Sequence, residues 1–127
     1  MKYLTAQEVL IVHALLIDEI GGSHGIRDLG LLQAAVHKPQ AMFAGKELYK
    51  NVFQKAAVLL EALVNYHVFI DGNKRTALTV VARFLHENKY ELTASNKEVA
   101  FVVLEVATKE INIKKLEIWI KKNCRKI

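Results

Sequence analysis

Residues 51–88 read NVFQKAAVLLEALVNYHVFIDGNKRTALTVVARFLHEN. Two helix-length stretches stand in this segment, about Asn51 to Tyr66 and about Asn73 to Asn88. Ala56, Ala57, Leu59, Leu60, Leu63 and Val64 put apolar side chains on more than one face of the first. Ala77, Leu78, Val80, Val81, Phe84 and Leu85 do the same in the second. A surface helix shows one apolar stripe, so helices apolar nearly all round are central. The expected fold is all-α, a helix bundle whose two buried central helices are joined by residues 67–75.

The flanking sequence supplies the outer helices. Thr5-Ala6-Gln7-Glu8 is a capping box, followed by Val9, Val12, Leu16 and Ile20 at helical spacing, and Gly21-Gly22 ends that helix. Asp28 caps a short second helix through Leu31, Leu32, Ala35 and Val36 that Pro39 stops. Residues 40–50 read as a loop with Met42 and Phe43 around Gly45. After the central pair, Lys89-Tyr90-Glu91-Leu92-Thr93 reads as a short extended link. A second capping box, Ser95-Asn96-Lys97-Glu98, starts a fifth helix. Asn112 caps an amphipathic last helix with Leu116, Trp119 and Ile120 inward.

Composition bounds the rest. A chain of 127 residues makes one domain, residues 1–127, and buries roughly two-thirds of its unfolded surface. The net charge of +5 is unevenly placed. Residues 1–108 carry 11 basic and 11 acidic side chains, whereas residues 109–127 carry seven basic ones against Glu110 and Glu117. This is a neutral domain with a basic end, and no nucleic-acid partner is expected. Lys121, Lys122, Arg125 and Lys126 lie where a helix C-terminus favours cations. The lone Cys124 forms no internal disulfide, which fits a reducing, cytoplasmic setting. Runs such as Val99–Leu104 fall far short of the ~20 residues that span a bilayer, and Met1–Leu4 leads directly into polar Thr5, Gln7 and Glu8.

The joining segment His67-Val68-Phe69-Ile70-Asp71-Gly72-Asn73-Lys74-Arg75 does not read as a routine connection. Three large apolar residues stand where a polar loop is expected, so at least Phe69 must enter the core and fix the loop. Asp71-Gly72 signals a turn, and Gly72 permits positive φ or close approach. Lys74 and Arg75 fall in the first turn of the second central helix, where the macrodipole disfavours each cation by ~0.3–1 kcal/mol. Free N–H groups and two cations at a helix start form an anion site, best suited to phosphates. The bland alternative is that both side chains bend into solvent or pair with acids such as Glu47 or Glu61.

His67 beside such a site can take a proton from a hydroxyl that attacks phosphorus. Asp71 offers a hard oxygen to Mg²⁺, which takes one or two carboxylates plus substrate phosphates. Asn73 can donate to a phosphate oxygen or support the turn. His67 alone would read as a structural helix-end histidine; the combination reads as chemistry. His13, His24, His37 and His86 show no metal spacing, and no Walker-type or dinucleotide glycine pattern occurs.

His67-x-Phe69-x-Asp71-Gly72-Asn73-Lys74-Arg75 resembles the core motif of the Fic/Doc fold family, in its death-on-curing toxin branch. Gly25-Ile26-Arg27-Asp28-Leu29-Gly30-Leu31-Leu32, Lys38-Pro39 and Thr76-Ala77-Leu78 resemble it as well. The resemblance implies a Fic-type bundle with the motif between two central helices. It implies His67 as general base, Asp71 as Mg²⁺ ligand, and Gly72, Asn73, Lys74 and Arg75 as holders of the phosphates of ATP. Lys74 stands where the AMP-transferring members carry glycine, and Leu78 where they carry a second arginine. A lysine there fills space and adds charge where an α-phosphate would rest, so the implied reaction is phosphoryl transfer to a protein hydroxyl, with AMP transfer as runner-up. In the toxin branch the acceptor is similar to a translation elongation factor, and growth arrest follows. No Ser or Thr here has Glu four residues on, so the internal inhibitory motif of many Fic proteins is missing. Inhibition is then expected from an antitoxin chain folding as a helix into an apolar groove. A reading from another class is a non-catalytic module that binds through its basic C-terminal helix.

Overall fold

Helices apolar on several faces do become the centre of this molecule, and a computed structural model describes residues 1–127. In chain order it contains α1 (Ala6–Ile20), α2 (Leu29–His37), a 3₁₀ turn (Lys38–Gln40), β1 (Met42–Phe43), β2 (Lys46–Glu47), α3 (Val52–Asn65), α4 (Asn73–Glu87), β3 (Tyr90–Leu92), α5 (Asn96–Ala107), α6 (Ile113–Lys122) and β4 (Cys124–Lys126). α3 packs against α4, α6, α5, α2 and the 3₁₀ turn, and α1 closes over α4. Ten residues of α3 are buried, including Ala56–Leu60 and Ala62–Val64. Together with Ala77, Val80, Val81, Phe84 and Leu85 of α4 they form the middle of one continuous core. The fold is mostly α, as expected.

Local signals worked where local chemistry decides. Both capping boxes form, Thr5 with Glu8 and Ser95 with Glu98, and a third, Asn51 with Gln54, starts α3. Asp28 and Asn112 cap α2 and α6. Three expectations need correction. The inward stripe of α1 is Val9, His13 and Ile17, while Ile20 is 60% exposed. Residues 40–50 contain a hairpin, with Met42 paired to Glu47 and Phe43 to Lys46. The link after α4 is extended, as expected, and pairs antiparallel with β4, so Leu92 faces Cys124 and Glu91 faces Arg125. α6 ends at Lys122, so Arg125 and Lys126, expected at a helix C-terminus, lie in the paired strand instead.

Asn88 gathers the chain ends at the far end of α4. Its side chain donates to the carbonyls of Lys2 (2.9 Å) and Phe84 (2.8 Å) and accepts from the Lys2 N–H at 2.8 Å. Next to it, the Ile127 N–H donates to the Lys89 carbonyl at 2.9 Å.

Candidate active site

α3 ends at Asn65 with Tyr66 as its C-cap, and His67 follows with φ 51°. That left-handed conformation costs a residue with a Cβ ~1–2 kcal/mol, so something must hold it. The holder is the segment before α2. The Arg27 guanidinium donates through Nη2 to the Tyr66 carbonyl at 2.8 Å and through Nε to the His67 carbonyl. The backbone N–H groups of Arg27 and Asp28 donate to the Val68 carbonyl at 2.7 and 3.1 Å, and the Ile70 N–H to the Gly25 carbonyl at 3.1 Å. Ile26 forms an antiparallel bridge with Phe69. A cation on the last carbonyls of α3 also suits the negative end of that helix. Gly25 suits this position because its φ of 133° is one that residues with a Cβ rarely adopt.

The apolar run splits as its position demands. Val68 and Phe69 are buried, while Ile70 points outward. Phe69 lies flat on the buried His13 ring of α1, with centroids 3.7 Å apart. His13 Nε2 donates to the Asp71 carbonyl at 2.8 Å, which puts the imidazole proton on that nitrogen. The Asn73 carboxamide closes the loop from the other side. Its Oδ1 accepts the Phe69 N–H and its Nδ2 donates to the Phe69 carbonyl, both at 2.9 Å. Of the two uses open to Asn73, support of the turn is the one the contacts display, with one amide proton left over.

α4 then starts from Gly72 (φ 76°) with no side-chain cap, whereas a side chain caps each of the other five α-helices. The first-turn N–H groups of Asn73, Lys74 and Arg75 are left without intrahelical partners. The pairing of Lys74 or Arg75 with Glu47 or Glu61 does not occur, since Glu47 pairs with Lys55 and Glu61 with Lys38. Lys74 is exposed and free of ion pairs. Arg75 reaches across to the end of α1 and donates through Nη2 to the Gly21 carbonyl at 3.0 Å.

The Asp71 carboxylate is aimed by backbone donors. Oδ2 accepts from the Ser23 N–H at 3.1 Å and Oδ1 from the Gly72 N–H at 2.8 Å. Those two bonds, helped by the charge of Arg75, hold its carboxyl below the usual carboxylate range. Gly22 permits the approach, for a Cβ there would meet Oδ2 at 2.7 Å.

Val64, His67, Ile70, Asp71, Gly72, Asn73, Lys74 and Arg75 line one depression of about 270 Å³. Sites that enclose a small ligand run ~300–1,000 Å³, so this one lies just below that range. Asp71 is its one carboxylate and retains lone pairs beyond the two N–H bonds. That donor set fits Mg²⁺ shared with substrate phosphates and does not fit zinc. Sequence reading alone missed His13, Ser23 and Arg27 as parts of the site. A histidine on the inward face of a helix, spaced four from Val9 and four from Ile17, was the available signal for the first.

A model of the Fic/DOC family matches residues 3–85. The chain belongs to the Fic/DOC family. The match runs from α1 through nearly all of α4 and takes in every residue of the depression. The chain is similar to the Toxin Doc of Mycolicibacterium smegmatis, 38% identical over 114 residues, 88% of this chain and 85% of that one. It is also similar to the Protein kinase doc of Escherichia phage P1, 33% identical over 113 residues, 89% of this chain and 88% of the other. The Fic/DOC fold thus accounts for the two central helices and the loop between them. No helix of this member is long and apolar enough to cross a membrane.

Proposed function

We propose that this chain is a Doc-like toxin that transfers the γ-phosphoryl group of ATP to a Ser or Thr hydroxyl of a protein target. The target chemistry favoured is a bacterial translation elongation factor, with growth arrest as the outcome. The observation that carries the reading is the uncapped, doubly cationic start of α4 in one depression with His67 and Asp71. The printed names of the two relatives, a toxin and a protein kinase, support it.

In this reading the imidazole of His67 takes the proton of the acceptor hydroxyl as its oxygen bonds to the γ-phosphorus. The bond from that phosphorus to the β,γ-bridging oxygen breaks, and ADP leaves. Lys74, Arg75 and the first N–H groups of α4 stabilise the phosphate charge, in place before the reaction and needing no reorganisation. Mg²⁺, held by Asp71, would neutralise phosphate charge. Lys74 is the residue that sets the donor atom in this reading: a lysine there would fill space and add charge where an α-phosphate would have to rest for AMP transfer. The reaction belongs in the cytoplasm, where the translation machinery is. With no internal inhibitory motif, restraint falls to an antitoxin helix. The chain offers such a helix a groove lined by Phe101, Leu104 and Trp119 between α5 and α6, and exposed Ile11 and Leu15 on α1.

The test is incubation of wild type, His67→Ala and Lys74→Gly with Mg²⁺, ATP and a bacterial lysate, followed by mass spectrometry. A phosphate adduct on one hydroxyl that disappears with His67→Ala is expected. A nucleotide adduct from wild type would make the chain an AMP transferase. No His67-dependent adduct would favour a binding module acting through the basic C-terminal helix.

A further inference from the structure

Ile17 is the last buried residue of α1, and its side chain ends between two glycines. Its Cδ1 lies against both Gly22 and Gly72, since a Cβ on either would be 3.1 Å from that methyl. Neither residue has a Cβ to keep it off, so one methyl bridges the turn after α1 and the start of α4. The main chain of Ile17 holds the same turn, because its carbonyl accepts the Gly21 N–H at 2.9 Å.

The two glycines flank the bonds that aim Asp71. Gly22 precedes Ser23, whose N–H binds Oδ2 at 3.1 Å, and the N–H of Gly72 itself binds Oδ1 at 2.8 Å. The same turn holds Arg75, whose Nη2 donates to the Gly21 carbonyl at 3.0 Å. One short segment thus keeps a carboxylate on an N–H and a guanidinium on a carbonyl. The two side chains carry opposite charges, near enough that Arg75 helps to hold the Asp71 carboxyl down. A guanidinium and a carboxylate left slack would close on one another, because such pairs are among the strong hydrogen-bonded ones. A carboxylate so engaged offers less to a cation. The bonds that keep the two apart depend on the distance between the turn and α4, and Ile17 Cδ1 fills that distance.

We propose that Ile17 is a positioning residue for the cation site: its δ-methyl spaces the 21–23 turn from the start of α4, so that Asp71 stays on the Ser23 and Gly72 N–H groups and Arg75 on the Gly21 carbonyl. This rests on the transfer reading above, in which Asp71 holds Mg²⁺, and adds what keeps that carboxylate open. The substitution Ile17→Val removes the one methyl. Ile120→Val removes the same group from α6, where it is buried as deeply and the helix packs on α3, and serves as the matched control.

Two measurements test it, one of which needs neither metal nor activity. In metal-free protein, the NMR amide proton shifts of Ser23 and Gly72 report their bonds to the carboxylate, and Asp71→Ala gives their positions without it. Ile17→Val is expected to move both resonances at least about half of that way, with Ile120→Val leaving them in place. The Mg²⁺ concentration for half-maximal transfer is expected to rise about 10-fold in Ile17→Val, the low end for loss of a group that orients a metal ligand, with KM for the protein target within about twofold. Unmoved resonances in Ile17→Val would overturn the spacer. Moved resonances with an unchanged Mg²⁺ requirement would overturn its part in the cation site, and equal effects of Ile120→Val would reduce Ile17 to a core residue and overturn both. If wild type modifies no hydroxyl at all, the transfer reading and the cation-site role fall together, and the amide shifts still decide whether Ile17 holds Asp71.

Discussion

Replacing His13 tests whether the catalytic loop is held from beneath. The residue is 4% exposed and has two contacts of different kinds, the face-to-face stack on Phe69 and the Nε2 bond to the Asp71 carbonyl. His13→Phe keeps the stack and most of the volume and removes the bond. A half-buried carbonyl left without its donor costs about 1–2 kcal/mol. In a domain of this size that lowers Tm by roughly 4–8 °C. His13→Gln keeps a donor and removes the stack, worth about 0.5–1.5 kcal/mol beyond the area it buries.

The two variants should therefore differ little in stability and much in activity. Asp71 carries its carboxylate on the main-chain unit that His13 holds. A displacement of about 1 Å in a reacting group can cost on the order of 100-fold in rate. Transfer by His13→Phe is expected to fall at least 10-fold and to need more Mg²⁺ for half-maximal rate, while His13→Gln retains most of its activity. Calorimetry and a His67-dependent transfer assay over a Mg²⁺ series give both quantities. If His13→Phe stays within 1 °C and twofold of wild type, the loop is not held through this histidine. If both variants lose activity in step with stability, the carbonyl bond has no special part.

Gly22→Ala is expected to abolish transfer, because the added Cβ would fall 2.7 Å from Asp71 Oδ2 and displace the carboxylate, whereas Gly21→Ala, also at positive φ but with open space around it, shows only the backbone strain of about 1–3 kcal/mol; equal activity loss in the two would refute the clash. The folded pKa of Asp71 is depressed, so its stabilisation is present above the ordinary carboxylate pKa near 4 and fades as pH falls through the folded value. Wild type should accordingly exceed Asp71→Asn in stability at neutral pH and approach it in acid, and a gap that widens in acid would show the sign to be wrong. Burial pushes the Cys124 thiol up to about 11. At pH 8 it should react with iodoacetamide about 100-fold slower than the same thiol in denaturant, and equal rates would mean that β4 does not cover it.

What the sequence disclosed follows the range of the interactions. Thr5 with Glu8 and Ser95 with Glu98 are decided within four residues, and both caps were legible. The uncapped start of α4 was legible too, because two cations in a first turn conflict with the helix dipole without any reference to the rest of the chain. Arg27 was not, since its partners are backbone carbonyls 39 and 40 residues away. β4 was hidden for the same reason. Cys124-Arg125-Lys126 has no periodicity of its own and becomes a strand only by meeting Tyr90–Leu92. The inward face of α1 was misjudged because its central member is a histidine, and an apolar count passes over it in favour of Ile20.

The cluster around Asn88 has a bearing on how this molecule could be handled. Lys2 and Ile127 are bound to adjacent residues there, 15 helical residues or about 22 Å from Gly72. A reporter, anchor or neighbouring domain attached at either end would hang from the pole opposite the loop and leave the approach of a target unobstructed. The same proximity makes a circular permutation practicable: a short linker from Ile127 to Met1, with new ends cut between Ala44 and Gly45, preserves every bond that shapes residues 67–75. Such a permutant would carry its free ends on the hairpin and its intact loop on an otherwise unchanged bundle.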